Sequence, residues 1–340
     1  MASNTFAIPE SPHTVLVSII DTTCKVSIET DKVFVPRYPG HDFLNVPTYA
    51  FLIKHPELNR NVLFDLGLRK DWWNSAPVVR NILQEGKSHL SIQKDIREIL
   101  EHGGVPINTI DTMVWSHWHI DHIGDPSLFD TSVRLIVGPG FKEHILPPFP
   151  PNKDSMVLES DFNGRELEEL DFTEGSLKIG RFNAIDYFGD GSFYFLDAPG
   201  HSIGHIAALA RVTSAPDSFI LMAGMDTNSD NIPADAGVLS CGAVFDKLRE
   251  EKDMRAPFYS AARNGVSFNA DDANATIEYL QDADNRDDVF IVFSHDDTLL
   301  DVVDFFPDIA NDFMQKGWAK KSKWGFLRDL IETQADSDNV

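Results

Sequence analysis

The chain runs to 340 residues, 42% hydrophobic and 24% charged, the composition of an ordinary soluble globular protein and length enough to bury a large core without disulfide staples. Its 29 basic and 53 acidic residues leave a net charge of -24, a surface that repels phosphate backbones and anionic membranes and weighs against a nucleic-acid or membrane partner. Cysteine is confined to Cys24 and Cys241, which makes no disulfide framework and fits a reducing compartment, so a cytoplasmic location is expected.

In chain order, residues 1–12 carry Pro9 and Pro12 and are read as a loose end, without the basic and apolar regions of a secretory signal. Thr14–Ile20 and Thr48–Ile53 are predicted strands, and Asn61–Asp65 is a buried strand ending at Gly67. Leu66–Lys87 holds Trp72, Trp73 and Pro77 without clear periodicity and is read as a surface connection. Ser91–His102 is predicted to be an amphipathic helix, capped by Ser91, with Ile92, Ile96, Ile99 and Leu100 on one stripe and Gly103 as its stop. Ile110–Trp115 is a short buried strand. Arg134–Val137 follows, then a short helix at Phe141–Leu146 whose Glu143 and His144 form a solvated face, then the turn-rich Pro147–Lys153. Further strands are predicted at Phe193–Leu196, Ile206–Ala210, Phe219–Ala223 and Val289–Phe293, with helices at Ala270–Ala283, Leu300–Met314 and Lys323–Gln334. Residues 334–340 are a second loose end. There is no repeat, no composition break, and no apolar run near the roughly 18 residues that a membrane span needs. The expectation is one mixed α/β domain over residues 13–333.

The chemistry concentrates in Ser116–Asp125, S-H-W-H-I-D-H-I-G-D, directly after the strand Ile110–Trp115. His117 and His119, at i and i+2 on a strand end, project to one side. A tight loop then turns Asp121 and His122 toward a second point. Imidazole nitrogens and carboxylate oxygens are the donors that borderline divalent cations take. A two-metal site needs about three more ligands, a bridge among them. His201 in A-P-G-H-S-I-G-H, Asp226 in A-G-M-D-T and His295 in F-S-H-D each follow a predicted apolar strand at its C-terminal end, where sites assemble in α/β folds. A lone His or Asp at a strand end is more often a turn or capping residue, so these three gain weight from the first cluster. His205 is read as a packing or supporting residue, not a ligand.

The pattern H-x-H-x-D-H, followed by a distant His, Asp and His, resembles the metallo-β-lactamase superfamily. The resemblance implies a four-layer αββα sandwich, two mixed β-sheets with helices on the outer faces. It implies that His117, His119 and His201 hold one metal ion, that Asp121, His122 and His295 hold a second, and that Asp226 bridges them. It further implies that Asp65 of F-D-L-G braces the site without binding metal. Zn²⁺ is the default ion for such ligands, and Mn²⁺, Fe²⁺ and Co²⁺ suit them too. Within the superfamily, V-P-T-Y-A-F-L-I, F-D-L-G, P-G-H-S-I-G-H and F-S-H-D most resemble the lactonase branch, which includes acyl-homoserine lactonases. That branch commonly places a Tyr three residues after the bridging Asp; here the position is Ser229. Tyr187, Tyr194 and Tyr259 are candidates for its role.

The expected activity is opening of a cyclic ester by a metal-bridging hydroxide that attacks the carbonyl, with Asp121 as the catalytic residue that passes the proton to the leaving group. A cyclic amide or carbamate hydrolase, acting for example on a benzoxazolinone-type compound, is the close alternative, because it differs only in the leaving atom. A thioesterase or nuclease of the same fold is less favoured: the first usually needs a basic glutathione site, and the second conflicts with the net charge of -24. The expected partner is a small-molecule substrate.

Overall fold

The structure is a computed structural model that describes residues 6–36, 42–85, 90–173, 177–224, 260–263, 265–323 and 325. One sheet takes its strands from the first half of the chain: β1 (Leu16–Glu29), β3 (Phe43–His55), β4 (Arg60–Phe64), β5 (Leu90–Ile92), β6 (Thr112–Val114), β7 (Arg134–Val137) and β8 (Leu167–Glu169). They lie in the order β5-β1-β3-β4-β6-β7-β8. The pairs from β5 to β4 are antiparallel and those from β4 to β8 parallel. The other sheet contains β9 (Leu177–Ile179), β10 (Phe182–Asp186), β11 (Phe193–Asp197), β12 (Ile206–Ser214), β13 (Asp217–Ala223) and β15 (Val289–Phe293), ordered β15-β13-β12-β11-β10-β9, with only β13 and β15 parallel. β2 (Phe34–Val35) and β14 (Ser260–Ala261) form a small separate ribbon.

Period-two alternation explains how the sheets stack. Val17, Ile19, Phe51, Ile53, Val62, Phe64 and Val114 of the first sheet meet Phe193, Phe195, Ile206, Ala208, Ile220, Met222 and Val292 of the second in one buried core. The intervening residues face outward and are buried by helices. Ile20, Leu52, Leu63 and Met113 pack with Ile96 and Leu100 of α2 (Ile96–His102) on one side. Leu196, Leu209 and Leu221 pack with Leu280 and Ala283 of α4 (Ala270–Asp284) on the other. This is the αββα sandwich that the resemblance implied.

Two helix expectations and one loop expectation are corrected. The helix expected from Ser91 begins after Asp95, because Asp95 and Glu98 form a reciprocal capping box, Asp95 Oδ1 accepting from Glu98 N at 2.8 Å and Glu98 Oε2 from Asp95 N at 3.0 Å. Leu90–Ile92 instead adds to the edge of β1 as β5. The helix expected over Leu300–Met314 is absent: a 3₁₀ stretch (Asp297–Asp301) stops short of Pro307, and the backbone of Phe306 and Ala310 donates to Ile19 and Val17 carbonyls at 2.7 Å each. Two short helices, Phe313–Lys316 and Trp318–Ser322, follow. Leu66–Lys87, read as a surface connection, contains α1 (Pro77–Glu85), started by a proline at its first position. Most of Lys323–Gln334 lies outside the described residues.

Both sheets direct the C-terminal ends of β4, β6, β11 and β15 to one edge of the sandwich. β1 and β3 run past that edge as a long two-stranded arm, paired as far as Glu29 with Phe43.

Candidate metal centre

Two groups of side chains meet at that edge. His117, His119 and His201 offer ligand atoms that lie within 4.8 Å of one another, and so do Asp121, His122 and His295. His117 and His119 leave the end of β6 on the same side. The chain then enters a one-turn helix, α3 (Ile120–Ile123), which delivers Asp121 and His122. Gly124 closes that turn at φ +53°, and a Cβ there would stand 2.5 Å from Leu66 Cβ. Backbone bonds from Leu66 N to His122 O and from Gly124 N to Gly67 O, both 2.8 Å, tie the turn to the end of β4. His201 arrives from the loop after β11 and His295 from the end of β15. Asp226 lies outside the described residues, as do Ser229, Tyr259 and Cys241.

The groups adjoin. The His117 and His122 ring centroids are 4.1 Å apart, and His201 stands 4.7 Å from both His117 and His119. In the second group, His122 Nε2 and His295 Nε2 are 3.2 Å apart, and Asp121 Oδ2 is 3.5 Å from His295 Nε2 and 3.9 Å from His122 Nε2.

A ring of buried partners orients the imidazoles. Asp65, at φ +61°, accepts from Ser116 N, Ser116 Oγ and His122 Nδ1, each at 2.7 Å. His295 Nδ1 donates to Pro47 O at 3.0 Å and His205 Nδ1 to Ala198 O at 2.6 Å. His117 Nδ1 is 3.0 Å from Ser116 Oγ. Donation from Nδ1 leaves the lone pair on Nε2. Ser116, Pro47 O and Ala198 O escaped sequence reasoning. Two of these are backbone carbonyls, whose role depends on the fold and not on residue type.

The electrostatics follow from packing so many imidazoles into a buried space. Burial, then the neighbouring histidines, hold His117 and His201 well below the usual imidazole range. Burial is also the main cause that takes His119 and His205 down to about 4. Burial would lower His122 too, but Asp65 and Asp121 outweigh it and raise it. Burial would raise Asp121, but His122, His295 and His119 hold it low. His117, His119, His201 and His295, the last also lowered chiefly by burial, therefore present neutral imidazole lone pairs and Asp121 an ionised carboxylate, the forms that bind cations, whereas at His122 a cation would have to displace a proton that Asp65 and Asp121 favour.

Three imidazole nitrogens at this edge are buried without a partner among the described residues: His117 Nε2, His201 Nδ1 and His205 Nε2. Buried polar atoms are seldom left so. For His117 and His201 the missing partner is accounted for by a cation among the three imidazoles, so the residues present fit a metal ion. His205 belongs to neither group of three. Of the tyrosines considered for the role vacated by Ser229, Tyr187 binds Arg60 and Thr112 at the opposite end of the strands, and Tyr194 is buried at the start of β11. Glu143 and His144 are exposed, as expected of a solvated face.

This fold and site define a metal-dependent hydrolase of the metallo-β-lactamase type. Gamma-lactamase FDB1 of Fusarium pseudograminearum is 41% identical over 98% of this chain and 86% of its own length. Metallo-hydrolase mfmC of Annulohypoxylon moriforme is 35% identical over 98% of this chain and 92% of its own. The chain belongs to this family of metallo-hydrolases. It also matches longer Penicillium proteins named cytochrome P450 monooxygenase mpaDE, of which it spans 38% at 40% identity. Among solved structures, an N-acyl homoserine lactone hydrolase with the product N-hexanoyl-L-homoserine at its catalytic metal centre shares the fold, with a TM-score of 0.56 at 18% identity, covering 87% of this chain and 99% of that one. No protein-family model matches the chain.

Proposed function

We propose that this enzyme opens a cyclic amide of the γ-lactam kind by hydrolysis at two divalent ions, one held by His117, His119 and His201, the other by Asp121, His122 and His295, with Asp226 as the bridge. The observation that carries the reading is the pair of three-ligand groups, in which one nitrogen each of His117 and His201 is buried without a partner among the described residues. The relative named gamma-lactamase, 41% identical over nearly the whole chain, supports the lactam. A lactone is the second reading, supported by the F-D-L-G and P-G-H-S-I-G-H elements; it differs only in the leaving atom. Zn²⁺ is the default ion, and the substrate is a small molecule.

Divalent ions bound by these residues would supply Lewis acidity toward a carbonyl and toward water near neutral pH. The chain's own residues do the rest. Asp65 fixes the His122 tautomer, Pro47 O fixes that of His295, and both rings are held before substrate arrives. The Asp121 carboxylate, ionised at neutral pH, takes the proton from water and returns it to the leaving nitrogen or oxygen. Residues 13–333 act as one catalytic domain. Cys24, a buried free thiol that burial pushes up to about 12, fits the cytoplasm, and among the described residues no helix is long and apolar enough to cross a membrane.

A panel of γ-lactams, γ-lactones, thioesters and nuclease substrates tests this reading. The expected result is turnover of the rings, lost on chelation and restored by added metal. Turnover of nuclease substrates alone would contradict it.

A further inference from the structure

Phe268 is the most exposed large hydrophobic side chain among the described residues, at 71%. Single exposed apolar residues are ordinary, but this one has an unusual address. Its N–H donates to the carbonyl of His201 at 2.9 Å, and the next residue, Asn269, donates to Gly200 O at 2.8 Å. By bond geometry the Phe268 Cα then lies no more than about 4.4 Å from the carbonyl oxygen of a ligand-bearing residue.

The segment is pinned on several sides. Asn269 caps α4, its side chain accepting from Asp271 N and Asp272 N. The loop before His201 packs against the same helix so closely that a Cβ on Gly200 would stand 2.0 Å from Ala273 N. Upstream, Val266 N donates to Lys32 O at 2.7 Å, and Ser260 and Ala261 pair with Val35 and Phe34. The backbone of Phe268 is thus fixed between the β1–β3 arm and the His201 loop, while its ring contributes little to any core. A turn at this place requires only the backbone bonds, which a small polar residue would make equally well.

We propose that Phe268 is a specificity-determining residue: on the His201 side of the site it offers a flat apolar face to a nonpolar substituent carried by the ring that is opened. This rests on the proposed lactam or lactone hydrolysis and narrows its substrate class to rings bearing an aryl or alkyl group. The substituent and the phenyl ring bury each other when substrate binds, so the contact lowers KM and leaves the bond-breaking step alone.

The test is steady-state kinetics of wild type, Phe268→Ala and Phe268→Trp on unsubstituted γ-lactam and γ-lactone rings and on the same rings bearing aryl or alkyl groups. Phe268→Ala is expected to raise KM about tenfold on substituted rings, with kcat and the unsubstituted rings unchanged. Phe268→Trp is expected to keep the low KM. A KM that does not move, or that rises equally on bare rings, would overturn the proposal. Unchanged thermal melting separates a local effect from unfolding. If wild type opens no ring at all, the reading of the site fails and takes this proposal with it; if wild type opens substituted rings and Phe268→Ala does so equally well, the proposal alone fails.

Discussion

Asp65 and His122 are joined by a 2.7 Å hydrogen bond in which both side chains are buried. His122 donates from Nδ1, so its Nε2 lone pair faces His295 and Asp121. The same carboxylate oxygen also receives Ser116 Oγ–H, and the other receives Ser116 N–H. Asp65→Asn keeps an acceptor for the Ser116 amide but turns an NH₂ toward His122. The imidazole is then driven to the tautomer with hydrogen on Nε2, which is no ligand. Metal affinity and kcat/KM are expected to fall about 10- to 100-fold, measured by metal titration and kinetics; an Asp65→Asn variant with wild-type affinity would contradict the role.

Gly224 directly follows β13, beside the same network. A Cβ there would stand 2.8 Å from His205 Nε2, 3.2 Å from Ser116 Oγ and 3.4 Å from His117 Cε1. All three belong to side chains that are 3% exposed or less and cannot swing into solvent. Gly224→Ala is therefore expected to cost about 1–3 kcal/mol of stability and to weaken metal binding, read by chemical denaturation and metal titration. Unchanged values in both would show that the space can open without disturbing His117.

Asp161 supplies a pH dependence away from the metal ligands. Burial is the main cause that raises its carboxyl to about 7, Asp125 adds to it, and the Leu158 amide, Arg69 and Arg165 oppose it. Its unfolded value is about 3.9, so the folded state holds the proton more tightly. That contribution to stability is complete below the unfolded value and is lost as pH rises through about 7, at up to about 1.4 kcal/mol per pH unit. Asp161→Asn retains an acceptor for Leu158 N and cannot ionise. Denaturation curves at about pH 5 and about pH 8 are expected to show the variant gaining on wild type as pH rises; parallel changes would contradict the assignment.

Much of this was legible in the sequence because short runs carried it. Arg134–Val137 and Val289–Phe293 are strands with the bounds that their apolar runs indicate, and six ligand candidates fall into two groups at one edge. Ser91 misled because Ile92 continues the helical stripe, whereas the box between Asp95 and Glu98 fixes the helix start and leaves Ile92 free to pair with Cys24. Leu300–Met314 misled because its apolar spacing is helical while Pro307 and the Phe306 and Ala310 bonds to β1 are not. The β1–β3 arm was read short because polar Asp21-Thr22-Thr23, where the pairing register shifts, ends the apolar run of β1, and Pro47 precedes that of β3. Phe268 was invisible, since only the folded chain carries it to His201.

The central claim is that each group of three side chains holds one ion. Metal-free protein titrated with Zn²⁺, with bound metal counted by elemental analysis, tests it most directly. Wild type is expected to take two ions, and His201→Ala and His295→Ala one each at the same concentration, lost from different groups. Wild type that binds fewer than two ions, or variants that still bind two with wild-type affinity, would contradict the account.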